Sequence, residues 1–194
     1  MLDVADEHDY PVWRALALVL HGVAMAGLGR PDEGLARTDQ GFAIYKGLKA
    51  PPVFWPFILS LRGRAFALGG RPAEALDPID EALAILGGGE GDLFYPEFPI
   101  LKGDLLLALA DPGGAETWYQ EAFAAAGKVG ARTAQLRAAT RLTRLRPRSG
   151  NESGESETLR RVYESFTEGF ETPDLVEARA VLDSVHVSES PETG

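Results

Sequence analysis

The chain contains no cysteine. That excludes disulfide bridges, thiol nucleophiles and thiolate metal ligands. It has three histidines, His8, His21 and His186, far apart and without metal-ligand spacing, so no zinc site is expected. Basic residues are in deficit: 19 Lys and Arg against 29 Asp and Glu give a net charge of −10. Sequence-independent nucleic-acid binding needs a positive surface, and this balance argues against it. No apolar run is long enough for a membrane span, since Ala15–Leu28 is short and carries His21. The first ten residues are acidic, so no signal peptide is visible and a cytoplasmic location is expected. The glycine run Gly87-Gly88-Gly89-Glu90-Gly91-Asp92 lacks the Lys-Ser/Thr of a phosphate loop and follows a helical pattern, so it is read as a connector. No serine stands with a histidine and an acid in a recognisable local signature. Neither a reaction nor a cofactor is expected from these residues.

Glycine and proline are plentiful, and their placement is periodic. Gly29-Arg30-Pro31-Asp32-Glu33-Gly34-Leu35 returns 41 residues later as Gly70-Arg71-Pro72-Ala73-Glu74-Ala75-Leu76. A fixed period of this size points to a stacked-repeat protein, which works by presenting a surface. Three further glycines, Gly22, Gly63 and Gly103, are preceded by His21, Arg62 and Lys102 at spacings of 41 and 40. Counting from each glycine, positions +12, +16 and +19 read Ala75, Ile79 and Ala82, then Ala115, Tyr119 and Ala122. The first copy reads Gly34, Thr38 and Gly41, a degenerate version, and position +3 reads Met25, Phe66 and Leu106. Small residues let two antiparallel helices approach closely, and a large apolar residue one turn on fills the seam.

Helical periodicity holds between these points. Phe54, Phe57, Ile58, Leu61, Ala65 and Leu68 make one apolar stripe; Leu76, Ile79, Leu83 and Leu86 make another. Gly29 and Gly70 end helices and Pro31 and Pro72 open the next. The breaks give roughly nine helices and no strand. The small-residue offsets are those of the tetratricopeptide pattern, although the period is longer and nearer that of HEAT-like repeats. The excess is read as longer helices and loops. The expected fold is all-α: a right-handed α-α superhelix of four TPR-like helix pairs and a final helix over Asp174–His186. It forms one domain over residues 1–187, with a disordered tail at 188–194.

Further residues carry a family likeness. They are Trp13-Arg14-Ala15 with His21-Gly22 and Gly29; Leu101-Lys102-Gly103-Asp104-Leu105-Leu106; Ala115-Glu116 with Ala122-Phe123; and Leu136-Arg137-Ala138-Ala139 with Leu142 and Arg144-Leu145. The most specific stretch is Val162-Tyr163 through Phe166-Thr167-Glu168-Gly169-Phe170-Glu171-Thr172, with Asp174-Leu175 and Glu177-Ala178. In these the chain resembles the C-terminal repeat region of large bacterial proteins that join a class III adenylate/guanylate cyclase domain, a signal-transduction ATPase and tetratricopeptide-like repeats. Related regions occur in LuxR-type ATP-dependent transcription activators. The likeness spans nearly the whole chain and includes no cyclase or ATPase segment. It implies a non-catalytic module that binds a protein segment or small effector for an attached signalling enzyme, or an inducer-sensing module of a transcription activator. Pro96 and Pro99 depart from the pattern at the start of the third repeat. The polar stretch 146–154 is expected to be a disordered loop.

Several residues are candidates for contact with a partner, each with a plainer alternative. His21, Arg62 and Lys102 share one register and would stack into a cationic column suited to an acidic peptide or a small anionic effector. Alternatively each pairs internally, with Glu33 and Glu74 as candidate partners. Trp13 and Trp55 stand at the edges of this column as aromatic anchors. Trp55 lies off the apolar stripe, which favours a surface contact, with inter-repeat packing as the alternative. Arg137, Arg141, Arg144 and Arg148 form a basic strip, read chiefly as a solvated face paired with Glu152, Glu155 and Glu157. Met1–His8 resembles the end of a second helix of a preceding repeat. Its apolar residues Leu2, Val4 and Ala5 imply either a longer parent array or a covering molecule. No direct nucleic-acid or membrane partner is expected, and the sequence leaves the oligomeric state open.

Overall fold

A computed structural model describes residues 2–48, 54–88, 94–145 and 154–187. It divides into two compact units, Met1–Gly88 and Gly89–Gly194. The first holds α1 (Leu2–Glu7), α2 (Pro11–Gly27), α3 (Pro31–Gly47), α4 (Trp55–Leu68) and α5 (Pro72–Leu86). The second holds α6 (Glu97–Ala108), α7 (Pro112–Val129), α8 (Arg132–Leu145), α9 (Gly154–Glu164) and α10 (Pro173–Val187). The described residues thus form ten helices and no strand. The tail at 188–194, Arg148, Glu152 and nearly all of the polar loop lie outside the described residues.

The repeated phrase is a turn device. Gly29 and Gly70 take left-handed φ values of +83° and +70° after the last helical turn, where a side chain would be strained. Pro31 and Pro72 then occupy the first helical position, where the missing N–H costs nothing. The Arg30 guanidinium closes onto Glu33 and that of Arg71 onto Glu74, three residues on. Glu33 and Glu74, the expected partners of the cationic column, are therefore taken by the turn arginines. The third copy solves the turn differently. Asp111 caps α7 by accepting from the Gly114 N–H at 2.9 Å, and Ala110 takes the left-handed position at φ +62°. Left-handed backbone costs a residue with a Cβ roughly 1–2 kcal/mol. Ala110→Gly should therefore raise stability by about 1 kcal/mol, read as a higher urea midpoint with an unchanged m-value. An unchanged or lowered midpoint would show that the turn is not strained.

Three helix pairs are sealed by the predicted offsets. Ala75, Ile79 and Ala82 are fully buried between α4 and α5, as are Ala115, Tyr119 and Ala122 between α6 and α7. A methyl group on Gly63 would lie 2.8 Å from Ile79 Cδ1, and one on Gly103 would lie 2.4 Å from the Tyr119 ring. The first pair, read from sequence as degenerate, is the tightest in backbone terms. A methyl group on Gly22 would meet the Gly34 carbonyl at 2.5 Å and the Thr38 nitrogen at 2.7 Å, and one on Gly41 would meet the Ala15 carbonyl at 2.5 Å. Two glycines in place of alanines let α3 press its backbone onto α2. Thr38, fully buried in this seam, satisfies its hydroxyl by donating to the Gly34 carbonyl at 2.9 Å.

The remaining departures have local causes. α1 is separated from α2 by Asp9 at φ +50°, a break that the sequence reading did not place. Ala5 is buried, Asp6 pairs with Arg14 of α2 at 2.7 Å, and Val4 stays exposed. Pro96 and Pro99 do not disrupt the third repeat. Pro96 caps α6, and Pro99 falls in its first turn, where N–H groups have no intrahelical acceptor. The loop between α9 and α10 begins at Ser165, because Ser165 and Phe166 turn their amides back onto Val162 and Tyr163. The fourth pair, α8 and α9, is closed by α10, which lays Leu175, Ala178, Val181 and Leu182 against Leu136, Ala139 and Leu159.

Candidate functional site

Each first helix has one face toward its second helix and an opposite face free of it. On α2 the glycine seam faces α3, and Trp13 and Leu20 lie roughly half a turn round from Gly22. On α4 the seam faces α5, and Phe57, Arg64 and Leu68 are turned away from Gly63. Trp13 is 48% exposed, Leu20 40%, Phe57 44% and Leu68 47%, and Arg64 is also exposed. The two helices lie side by side in the same direction. The Trp13 and Phe54 ring centroids are 6.2 Å apart at one end, and a methyl group on Gly27 would lie 3.9 Å from Leu68 Cδ1 at the other. The exposed apolar side chains therefore form one face across two helices. Isolated exposed apolar residues are ordinary, but a contiguous group of this kind marks a contact surface.

Of the residues singled out from sequence, Trp13 belongs to this face. Trp55 does not. It stacks on Tyr45 (5.8 Å, 12°), lies against Phe42 (4.8 Å), and donates its indole N–H to Glu81 at 2.9 Å. The stripe through Phe54 and Phe57 is centred differently from the sequence reading. α3 as well as α5 covers α4, so Trp55 is packed, while Phe57 and Leu68 at the stripe's edge are exposed. Arg62 faces α3, donating to Asp39 at 3.0 Å with its guanidinium 4.4 Å from the Phe42 ring centroid. Its partner is thus neither Glu33 nor Glu74. His21 is exposed on the rim of a shallow cavity of about 420 Å³ between α2 and α3, shared with Met25, Arg30, Glu33, Ala36, Arg37 and Gln40. Lys102 belongs to the second unit, where its ammonium sits 4.0 Å above the Trp118 ring.

The second unit treats its first helices differently. Arg137 of α8 donates both to Glu97 of α6 (2.7 Å) and to Asp174 of α10 (2.9 Å). Arg141 holds Asp104 of α6 at 2.6 Å, and Arg144 pairs with Glu177 of α10. Three residues of the basic strip, Arg137, Arg141 and Arg144, are therefore paired, as the plainer reading had it, with acids of α6 and α10. α8 is flanked by α6 and α10, so the acids come from neighbouring repeats rather than from the next stretch of sequence. Tyr119, fully buried, donates to the same Asp104 carboxylate at 2.7 Å. Burial first, and that carboxylate second, push the Tyr119 phenol far above its usual range. This network is a structural tie across the layer. Among the described residues, no group of three or more His, Asp or Glu side chains could hold a metal ion. No helix among them is long and apolar enough to cross a membrane.

No protein-family model matches the chain, and no curated protein matches it. Solved structures do. A Podosopora anserina protein described as a kinesin light chain with nearly identical TPR-like repeats matches 92% of this chain and 88% of its own, with a TM-score of 0.65 and 14% identity. A single-substitution form of that protein matches 92% and 87%, with a TM-score of 0.66 at the same identity. At this identity the likeness speaks to the fold alone. The chain has an all-α, TPR-like repeat fold.

Proposed function

We propose that the chain is a non-catalytic, TPR-like interaction module that docks a segment of another protein on the α2/α4 face, for a signalling enzyme to which it is attached. The observation that carries the docking reading is the group of exposed anchors Trp13, Leu20, Phe57 and Leu68 on neighbouring parallel helices. Aromatic and apolar side chains of this kind supply most of the affinity of peptide-binding surfaces. The attachment to a cyclase and ATPase rests on the sequence resemblance. The alternative, an inducer-sensing segment of a transcription activator, rests on the same resemblance, and the His21 cavity is a place where a small anionic effector would fit. The coding sequence around Met1–Gly194 separates the two. A cyclase and ATPase upstream supports the first; an ATPase upstream with a helix-turn-helix domain downstream supports the second.

The docking surface is tested by panning the chain against a displayed library of random twelve-residue peptides. Binders should be enriched, and Trp13→Ala or Phe57→Ala should weaken them at least tenfold, about 1.4 kcal/mol. Both side chains are about half exposed, so the melting temperature should hardly move. Absence of binders, or binders indifferent to both substitutions, would overturn the reading.

A further inference from the structure

We propose that the α2/α4 face selects acidic amphipathic segments, and that Arg64 reads a carboxylate set between apolar anchors. This rests on the reading of that face as a docking surface and adds the chemistry of its occupant. The chain has 29 Asp and Glu residues, yet neither α2 nor α4 contains one. The acids of the first unit's helices sit on α1 and on the second helices, such as Asp32, Glu33 and Asp39 on α3 and Glu74, Asp77, Asp80 and Glu81 on α5. The face turned away from the second helices is thus stripped of negative charge in a protein of net charge −10.

The arginines of α2 and α4 are then accounted for one by one. Arg14 is held by Asp6 of α1, and Arg62 by Asp39 of α3. Arg64 has no ion-pair partner among the described residues. It lies on the exposed strip of α4, seven residues after Phe57 and four before Leu68, so the strip runs apolar, cationic, apolar over about 16 Å at a rise of about 1.5 Å per residue. Water solvates the guanidinium while the face is open. An apolar occupant that covered Phe57 and Leu68 would strip that water and leave a buried charge unpaired, which is costly. A basic occupant would add repulsion. An occupant with a carboxylate between its apolar anchors replaces the lost hydration by a charge-assisted, bidentate hydrogen bond. The same arrangement raises the association rate of acidic segments and makes it salt-dependent.

The test uses the whole chain and the displayed twelve-residue library, with selected peptides remeasured as fluorescein conjugates by anisotropy. Enriched peptides should combine apolar residues with Asp or Glu. For such a peptide, Arg64→Gln should weaken binding at least tenfold and flatten its salt dependence, and Arg64→Lys should restore part of both. Replacing the peptide's acids by Asn should mimic Arg64→Gln, and combining the two changes should add little. Enrichment of neutral or basic peptides that bind wild type and Arg64→Gln alike, but fail on Trp13→Ala, overturns this selectivity and leaves the docking face standing. Absence of any peptide sensitive to Trp13→Ala or Phe57→Ala overturns both.

Discussion

Gly22→Ala should cost about 3 kcal/mol, the upper end of the range for overpacking, and should cost more than Gly63→Ala. In an unconstrained helix either change would be favourable by about 1 kcal/mol. The difference lies in what the new methyl group meets. At Gly63 it meets Cγ1 and Cδ1 of Ile79, both at 2.8 Å on a side chain that can shift, and the Ala75 carbonyl at 3.2 Å, which must give by a few tenths of an ångström. At Gly22 it meets the Thr38 hydroxyl at 2.3 Å and the backbone of Gly34 and Thr38 at 2.5 and 2.7 Å, so α3 itself must move. Urea denaturation followed by circular dichroism measures both variants. A Gly22→Ala protein as stable as Gly63→Ala would show that the α2–α3 backbones are not in contact. Gly63→Leu, whose larger side chain cannot be absorbed by Ile79 alone, should cost roughly 1–3 kcal/mol.

Asp104→Ala should destabilise the second unit by about 3 kcal/mol, whereas Glu177→Ala should cost under about 1 kcal/mol. Asp104 receives Arg141, whose side chain is 24% exposed, and the phenol of fully buried Tyr119. Removing it leaves two donors with poor access to water. Arg144, the partner of Glu177, is 51% exposed and loses little. Thermal unfolding of the two variants makes the comparison; equal shifts would show that the Asp104 network is ordinary surface pairing. The phenol adds a pH signature. Its value is raised in the folded state, so its contribution to stability is intact below about pH 10 and is lost as pH rises past the unfolded phenol's value. Tyr119→Phe should flatten that alkaline decline.

Much of the fold was legible because close helix packing leaves a covalent trace. A helix that must touch a neighbour's backbone needs glycine or alanine there, and Gly22, Gly63 and Gly103 with their small partners recorded the seams directly. Turn chemistry was legible for the same reason, at Gly29-Arg30-Pro31 and Gly70-Arg71-Pro72. What sequence periodicity does not record is which side of a first helix a neighbouring repeat covers. The pattern puts Phe57 on the apolar stripe and Trp55 off it, yet Trp55 is packed against Phe42 and Tyr45 and Phe57 is exposed. Charge pairing was hidden likewise. Arg62 bypasses Glu33 and Glu74 for Asp39, and Arg137 reaches Glu97 and Asp174, 40 and 37 residues away. Arg64 was overlooked because it falls outside the repeated register. The signal that marks it is the lack of any acid on α2 and α4, which shows only when charges are sorted by helix rather than summed.

The pairing of α6, α8 and α10 through arginines that range from a quarter to a half exposed ties the second unit in part to its ionic surroundings. The screening length is about 8 Å at physiological ionic strength and about 3 Å at 1 M, so charges that share water weaken steadily as salt rises. The buried part of the α2–α3 seam in the first unit is glycine backbone, a threonine hydroxyl and apolar side chains, which salt does not screen. Added sodium chloride should therefore loosen residues 97–187 while sparing residues 11–47. The two halves of one short chain would then answer differently to the same electrolyte, and ionic strength alone becomes a means of softening one half without touching the other.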